Sequence, residues 1–253
     1  MKRSKSSRHE DILAEIGQSP SLRVAELAGR LGVSTETIRR DLDELTNKGL
    51  INRTYGGAVR APGSEPSVGA RHALFVAERE RIARAASARV GGARLVMIGA
   101  GATTTHVARR IAADHKNLTI VTHCFGVATV LAPNPTITVL IAPGAYLGGE
   151  GATVGAHTLR FLSDFSADLA IVGASGITPE GASDALIEPA AVYGAIVARA
   201  AETMLVADHS KFDRVFPARY ASWREIARLV CDRAPGGRLG ETLARQDVEV
   251  VVA

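Results

Sequence analysis

The sequence is poor in cysteine, in aromatic residues and in long apolar runs. Its two cysteines, Cys124 and Cys231, are too few for a disulfide framework and lack the spacing of a metal site. No pair among the seven histidines has metalloprotease spacing, so we expect neither a metal nor a cofactor. No apolar run reaches the roughly eighteen residues that cross a membrane, and the first residues lack a hydrophobic secretory segment. We therefore expect a soluble cytoplasmic protein with no membrane partner.

What the chain does have is apolar content and a local excess of positive charge. Hydrophobic residues make up 46% of 253 positions, enough for a large core and two domains. Residues 1–60 hold 11 of the 30 basic residues but only 8 of the 26 acidic ones, which leaves 19 against 18 in the remainder. Since basic patches bind phosphate backbones, this distribution favours nucleic-acid binding by the N-terminal part.

The N-terminal part contains a segment typical of a DNA-reading helix. Ser34 is a good N-cap, so the helix is predicted to begin at Thr35. Ile38, Leu42 and Leu45 share one apolar stripe. Four polar residues lie largely outside the stripe: Thr35, Thr37, Arg39 and Arg40. Their hydroxyl and guanidinium groups suit DNA phosphates and base edges, although the arginines could instead pair with Asp43 or Glu44.

The flanking segments complete a winged helix-turn-helix. A second apolar stripe precedes a three-residue turn that contains Gly32, and a first helix is predicted to end near Gly17. Residues 50–59 read as two short strands around a turn. The stripe consists of Val24, Leu27, Ala28 and Leu31.

Four short motifs in this region resemble the DeoR-type bacterial transcriptional regulators. They are VAELA at 24–28, GVS at 32–34, TIRRDL at 37–42 and YGGA at 55–58. The resemblance implies that Arg39 and Arg40 contact operator DNA, with Arg53 and Tyr55 adding contacts from the wing. The predicted DNA-binding residues are Ser34, Thr35, Thr37, Arg39, Arg40, Arg53 and Tyr55.

Two further predictions concern charge near this helix. Asp41 is expected to orient the helix, because phosphate would repel its carboxylate. The basic N-terminal arm either contacts phosphate or is an untethered, disordered terminus. Its basic residues are Lys2, Arg3, Lys5 and Arg8.

The rest of the chain is predicted to form a second, larger domain. Residues 61–75 lose apolar periodicity and collect proline, glycine and serine, which is typical of a linker between domains at 1–60 and 76–253. Helical and strand patterns then alternate, which predicts a mainly parallel α/β sheet with ligands near the carboxyl ends of its strands. The first predicted element of this domain is a helix at 76–89. The later elements are predicted at 94–98, 103–113, 118–122, 126–131, 136–142, 153–161, 169–173, 190–201, 204–207, 226–230 and 248–252.

A glycine-threonine loop at residues 99–105 is the main ligand candidate. It follows a predicted strand and opens a helix, where free amides and threonine hydroxyls suit a phosphate or a polyol. It lacks the third glycine of the dinucleotide fingerprint and the lysine of the P-loop, so we expect no nucleotide cofactor. The alternative is a tight turn capped by Thr103.

Five further segments resemble the C-terminal sensor domain of the same family: THC at 122–124, PGAY at 143–146, VG at 154–155, GASGI at 173–177 and DHSKF at 208–212. The resemblance implies a fold similar to ribose-phosphate isomerases and a phosphorylated sugar or related metabolite as the effector. Lys211 can neutralise a phosphate and Asp208 can accept from sugar hydroxyls, or the two can form a structural ion pair. The predicted effector-binding residues are Arg79, Ala100, Gly101, Thr103, Thr104, Thr122, Gly144, Gly173, Asp208 and Lys211.

The chain departs from the family pattern at four positions of the predicted pocket. Gly99 and Ala102 replace an aspartate and a threonine, while Arg79 and Tyr193 replace lysines. The pocket thereby loses a carboxylate and at least one amine, so a nonphosphorylated polyol or small acid is the rival effector. Glu188 and His106 are candidates for the missing polar contacts.

These observations predict a transcriptional regulator, most simply a repressor of a carbohydrate catabolic operon that a small metabolite controls. Two winged domains would read two half-sites of double-stranded operator DNA, which favours a homodimer or homotetramer. The alternative is a sugar-phosphate isomerase-like enzyme that carries a DNA-binding domain, with Asp208 or Glu188 as its base. Because no nucleophile or second acid stands out, we predict no catalytic residue. A nonregulatory nucleic-acid-binding or scaffold protein is a third possibility.

Overall fold

A computed structural model shows a chain that divides into two compact units, Met1–Pro66 and Ser67–Ala253. It describes residues 5–18, 22–47, 51–54, 57–60 and 65–253. Among these residues, no helix has the length and apolar character needed to cross a membrane.

The first unit is a winged helix-turn-helix. Its elements are α1 (Lys5–Gln18), β1 (Leu22–Arg23), α2 (Val24–Leu31), α3 (Thr35–Asn47), β2 (Ile51–Thr54) and β3 (Gly57–Arg60). The strands form an antiparallel sheet in the order β1-β3-β2, so that β2 and β3 make the hairpin predicted from the sequence.

The apolar stripes of the three helices meet in one small core. Ile12 of α1, Leu27 of α2, and Ile38 and Leu42 of α3 are all fully buried. Gly32 ends α2 with φ = 66°, a left-handed conformation that costs glycine little and that turns the chain sharply into α3. The sequence prediction of this motif is confirmed.

The second unit is built around a seven-stranded parallel sheet. Its helices are α4 (Val68–His72), α5 (Val76–Ser87), α6 (Ala102–Asp114), α7 (Phe125–Leu131), α8 (Ala156–Ser163), α9 (Ile187–Ala198) and α10 (Gly237–Arg245). Its strands are β4 (Leu95–Ile98), β5 (Thr119–Thr122), β6 (Thr138–Ile141), β7 (Ala145–Leu147), β8 (Ala152–Val154), β9 (Ala167–Val172), β10 (Gly176–Thr178), β11 (Gly181–Asp184), β12 (Ala200–Val206), β13 (Ala218–Ala221), β14 (Arg228–Cys231) and β15 (Glu249–Val252).

The parallel sheet has the order β15-β14-β12-β9-β4-β5-β6, and its central strands β9, β4 and β5 are mostly buried on both faces. Val96 and Ile98 of β4 enter one apolar core, while Met97 between them enters the other, as the alternation of a strand requires. The chain runs from β4 towards one edge and from β9 towards the other. The carboxyl ends of these two neighbouring strands therefore form a topological switch point, where open α/β sheets bind ligands.

Several short elements differ from the sequence prediction. Strands β7, β10, β11 and β13 pair in small antiparallel sheets, and together with α10 they were not anticipated. The strands have three or four residues each and, unlike the equally short strands of the parallel sheet, contain no two consecutive branched aliphatic residues, so no apolar run marks them. Helix α4 lies within the stretch predicted as a linker, where Ser67 caps it by accepting a hydrogen bond from the Ala70 amide at 3.4 Å. Residues 61–64 of that stretch lie outside the described part of the chain.

Candidate DNA-binding and effector sites

The recognition helix α3 begins at a side-chain cap. The Ser34 hydroxyl accepts a hydrogen bond from the Thr37 amide at 3.2 Å and lies 2.9 Å from the Thr37 hydroxyl. Ser34 and Thr35 are exposed and Thr37 is half-buried. The predicted helix start is confirmed, and its hydroxyl groups lie at the surface.

Arg39 and Arg40 project from the same helix into solvent. Their side chains are 59% and 78% exposed, and each faces Glu36, with N–O distances of 3.9 Å and 3.4 Å respectively. Exposed pairs of this kind contribute only about 0.2–1 kcal/mol, so a phosphate or a base edge can compete for either guanidinium. Glu36 is thus a partner of both arginines on this helix.

Asp41 of the same helix is buried and held by α1. Arg8 donates to it from Nε at 2.5 Å and from Nη2 at 3.0 Å, and His9 Nε2 lies 3.1 Å from its Oδ1. Burial raises the pKa of Asp41, but the bonds from Arg8 and His9 outweigh this and hold the pKa below its usual value. These contacts join α3 to α1, as expected for a residue that orients the helix, and Arg8 belongs to them rather than to a loose basic arm.

Other residues predicted to meet DNA are less defined. Arg53 lies in β2, with a side chain outside the described part of the structure, and Tyr55 lies outside the described residues. Of the basic arm, Lys2 and Arg3 also lie outside, and Lys5 begins α1.

The second unit has an open cleft at the switch point between β4 and β9. The loop after β4 forms one wall and the segment after β9 forms another. The cleft is lined by Arg71, Arg79, Ala100, Gly101, Ala102, Thr103, Thr104, Gly173, Ala174, Ser175, Asp184, Tyr193 and Lys211.

Two buried side chains hold the loop after β4. The Ala100 amide donates to His123 Nε2 at 3.1 Å, so the ring proton lies on Nδ1, which donates to the Thr153 carbonyl at 2.7 Å. Burial lowers the pKa of His123 to about 4, which keeps the ring neutral at pH 7. Tyr193 donates from its hydroxyl to the Ala100 carbonyl at 3.2 Å. The backbone of the loop is therefore fixed before any ligand arrives.

Two of the departures from the expected family pattern are in contact with each other. A Cβ added to Gly99 would lie 3.1 Å from Tyr193 Cδ1, tighter than most real Cβ contacts. Tyr193 is only 3% exposed, and its ring also packs edge-on against His123 and Tyr220. The aromatic ring thus occupies space that any side chain at position 99 would need.

Helix α6 begins at this loop without a side-chain cap. Gly101 is the N-cap, with φ = 137°, and its carbonyl accepts from the hydroxyls of Thr104 at 3.0 Å and Thr105 at 2.8 Å. The alternative of a turn capped by Thr103 is not what the structure shows. Thr103 instead lines the cleft beside the first turn of the helix, where backbone amides favour an anion.

One of the cationic residues that line the cleft, Arg79, belongs to a buried ion pair. Arg79 is 2% exposed and donates from Nη2 to Asp208, which is fully buried, at 3.2 Å. Burial raises the pKa of Asp208, but the charges of Lys211 and Arg79 outweigh it and lower the pKa. Lys211 lines the cleft, whereas Asp208 lies behind Arg79 as its partner.

Predicted residues also lie away from the cleft. Thr122 donates to the Ile98 carbonyl at 2.7 Å and accepts from the Cys124 amide at 3.1 Å. A Cβ at Gly144 would lie 2.1 Å from Thr158 Oγ1, so close packing explains that glycine. Glu188 is exposed and His106 is half-buried near His72, and neither is among the lining residues.

With this geometry described, comparison with known proteins decides the family. Residues 8–62 match the DeoR-like helix-turn-helix domain, and residues 75–233 match the DeoR C terminal sensor domain. The chain belongs to the DeoR family.

Relatives in this family span almost the whole chain. The HTH-type transcriptional repressor CsqR of Escherichia coli (strain K12) is 30% identical over 97% of this chain and 94% of its own length. The glycerol-3-phosphate regulon repressor of the same strain is 32% identical over 96% of this chain and 97% of its own. Among solved structures, ribose 5-phosphate isomerase A of Methanocaldococcus jannaschii is 16% identical over 53% of each chain, with a TM-score of 0.39.

Sequence reasoning missed three polar lining residues of this DeoR-family cleft. Ser175 donates to Asp184 at 3.1 Å, and Asp184 also accepts from the Leu186 amide at 2.9 Å. Asp184 ends a strand that was not anticipated, and Arg71 lay in the stretch taken as a linker. The GASGI motif, which contains Ser175, was the one signal available. Within the described ranges, no cluster of His, Cys, Asp and Glu suits a metal ion.

Proposed function

We propose that this protein is a cytoplasmic transcriptional repressor of a carbohydrate catabolic operon, controlled by a small metabolite bound in the cleft of the second unit. The observation that supports this most is the presence of two different sites on one chain. One is a capped helix with two exposed arginines, and the other is a cleft lined both by cationic residues and by groups that can bind hydroxyls.

The chemistry of the cleft favours an effector with an acidic group and hydroxyls. Arg79, Lys211 and the start of α6 attract an anion. Asp184 and Ser175 can bind hydroxyl groups. A phosphorylated sugar or polyol suits both kinds of lining residue, and a small hydroxy acid is the alternative effector. A phosphorylated polyol is also favoured by the similarity to the glycerol-3-phosphate regulon repressor.

We propose the following residues for the two sites. The DNA site consists of Ser34, Thr35, Thr37, Arg39 and Arg40, with Arg53 and Tyr55 on the wing. The effector site consists of Arg79, Ala100, Gly101, Thr103, Thr104, Gly173 and Lys211, with Ser175 and Asp184 added.

The regulatory mechanism is linkage between these two sites. An effector that prefers a conformation or assembly with misplaced recognition helices lowers operator affinity by the same factor by which operator lowers effector affinity. One winged unit makes few base contacts, so we propose a homodimer or homotetramer that reads two half-sites.

Neither carboxylate considered from the sequence as the base of an isomerase is placed to act as one. A carboxylate that abstracts a proton must reach the substrate, and burial usually raises the pKa of such a group. Asp208 is instead fully buried against Arg79, which lowers its pKa, and Glu188 does not line the cleft. We therefore propose no catalytic activity.

The test is a fluorescence-anisotropy titration of the protein against its own upstream intergenic DNA at fixed salt. A panel of phosphorylated sugars, free sugars, polyols and small acids is added in parallel. We expect specific binding that one compound shifts. Alanine at Arg39 or Arg40 should weaken operator binding by about 1–3 kcal/mol and leave effector binding intact. Unchanged operator affinity in both variants would remove α3 from the DNA site.

A further inference from the structure

Helix α4 is the first element of the sensor unit, directly after the boundary at Pro66. Its first contact is with the turn between β7 and β8. Arg71 forms an ion pair with Glu150 of that turn, with side chains only 10% and 12% exposed. The Val68 amide also donates to the Gly149 carbonyl at 3.0 Å. Removing one partner of a largely desolvated pair costs more than removing one partner of a surface pair, because the other charge is left buried without compensation.

A second contact comes from the cleft itself. Arg79 Nη1 donates to the carbonyl of Arg71 and, at 2.7 Å, to that of Leu74, while its Nη2 donates to Asp208. The next residue, Phe75, has φ = 51°, a left-handed conformation that costs a bulky residue energy. The corner after α4 is thus held in place by Arg79 against local backbone preference.

Both arginines that fix α4 are also among the residues that line the cleft. An anionic group that enters the cleft therefore attracts the same charges that hold this helix. We propose that Arg71 is an effector-binding residue, and that an anion in the cleft competes with Glu150 for it and so changes how α4 is held. This inference rests on the proposed function, because it supplies the route from effector to DNA-binding unit.

The two ends of this competition are linked by thermodynamics. If an anion draws Arg71 away from Glu150, then weakening Glu150 must strengthen anion binding by a corresponding factor. Glu150 then lowers the affinity of the cleft for an anion, and anion binding changes the contacts that hold α4.

The experiment compares Glu150→Gln with the wild-type full chain, using inorganic phosphate as the probe. Glu249→Gln is the matched control, since Glu249 accepts from Arg228 Nε at 2.6 Å on the edge strand β15 and does not line the cleft. Calorimetry measures the phosphate dissociation constant, and hydrogen exchange measures the amides of residues 68–75. Thermal unfolding confirms that each variant folds.

In Glu150→Gln we expect phosphate to bind about fivefold tighter or more, the lower end of ordinary coupling between sites. In phosphate-free Glu150→Gln, the amides of α4 should exchange faster than in phosphate-free wild type. In wild type the same increase in exchange should appear only when phosphate is bound. Arg71→Lys keeps the charge but loses the planar fork, so it should bind phosphate more weakly than wild type. Glu249→Gln should match wild type in both measurements.

Equal phosphate affinity and equal α4 exchange in Glu150→Gln and wild type would overturn the inference. So would the absence of phosphate binding in all variants, or unchanged binding in Arg71→Lys. The proposed function fails separately: it falls if wild type binds no operator. Operator binding that responds to a neutral polyol would leave that function standing while this inference falls.

Discussion

The arginines of the two units are held in opposite ways. On α3, Arg39 and Arg40 are more than half exposed and face one glutamate through weak surface contacts. In the sensor unit, Arg79 is 2% exposed and donates to two carbonyls and a buried carboxylate. This difference fits the two proposed roles. A side chain proposed to reach a long polyanion is accessible, whereas one proposed to receive a small anion is positioned in advance, which lowers the entropy cost of binding.

The comparison predicts its largest effect at Arg79. Arg79→Ala leaves Asp208 buried without its ion-pair partner, and such a loss typically destabilises a fold by about 3–5 kcal/mol. Chemical denaturation of the full chain measures the change in free energy of unfolding. The control is Arg84→Ala, an exposed position on the same helix, which should change stability by less than about 0.5 kcal/mol. Equal effects of the two substitutions would contradict the buried-pair argument.

A second prediction concerns His123, the neutral histidine that holds the loop after β4. The pKa of His123 is about 4 in the folded chain and about 6.5 in an unfolded one, so protonation favours unfolding. Its contribution is intact above pH about 6.5 and falls by roughly 3 kcal/mol as the pH drops to about 4. His123→Gln should flatten the stability profile over that interval. His157→Gln, at an exposed position, should leave the profile unchanged.

The winged unit contains one buried pair of its own, which sharpens the contrast within a single helix. Asp41→Asn weakens the contacts to Arg8 and His9, so we expect a loss of about 2 kcal/mol in unfolding free energy. Operator affinity should also fall, because α3 loses its anchor to α1. Asp43→Asn, exposed on the same helix, is the control. A stability loss without any loss of operator affinity would show that the pair does not position the helix.

The smallest stability effect is expected at Arg40. Arg40→Ala removes only an exposed pair with Glu36, so the free energy of unfolding should change by less than about 0.5 kcal/mol. If the same variant destabilised the chain as strongly as Asp41→Asn, the contrast between exposed and buried charges on α3 would fail.

Sequence patterns predicted the regular parts of this fold. The stripe of Ile38, Leu42 and Leu45 and the cap at Ser34 were local signals, and the structure confirms them. The strands of the parallel sheet were also predicted, because apolar runs are typical of strands buried on both faces. The short antiparallel strands gave no such signal, and Asp184 of the cleft was missed with them.

The sequence by itself determined the winged motif, the alternation of strands and helices, the family resemblance and the glycine loop after β4. These depend on residues close together in the chain, whose spacing fixes capping, amphipathicity and turns. Only the tertiary structure decided that Asp208 lies behind Arg79 and that Arg71 reaches the cleft. Arg79 and Asp208 are 129 positions apart, and Arg71 and its partner Glu150 are 79 positions apart. Local sequence cannot encode such contacts, because they form only when burial brings distant strand ends to one edge of the sheet.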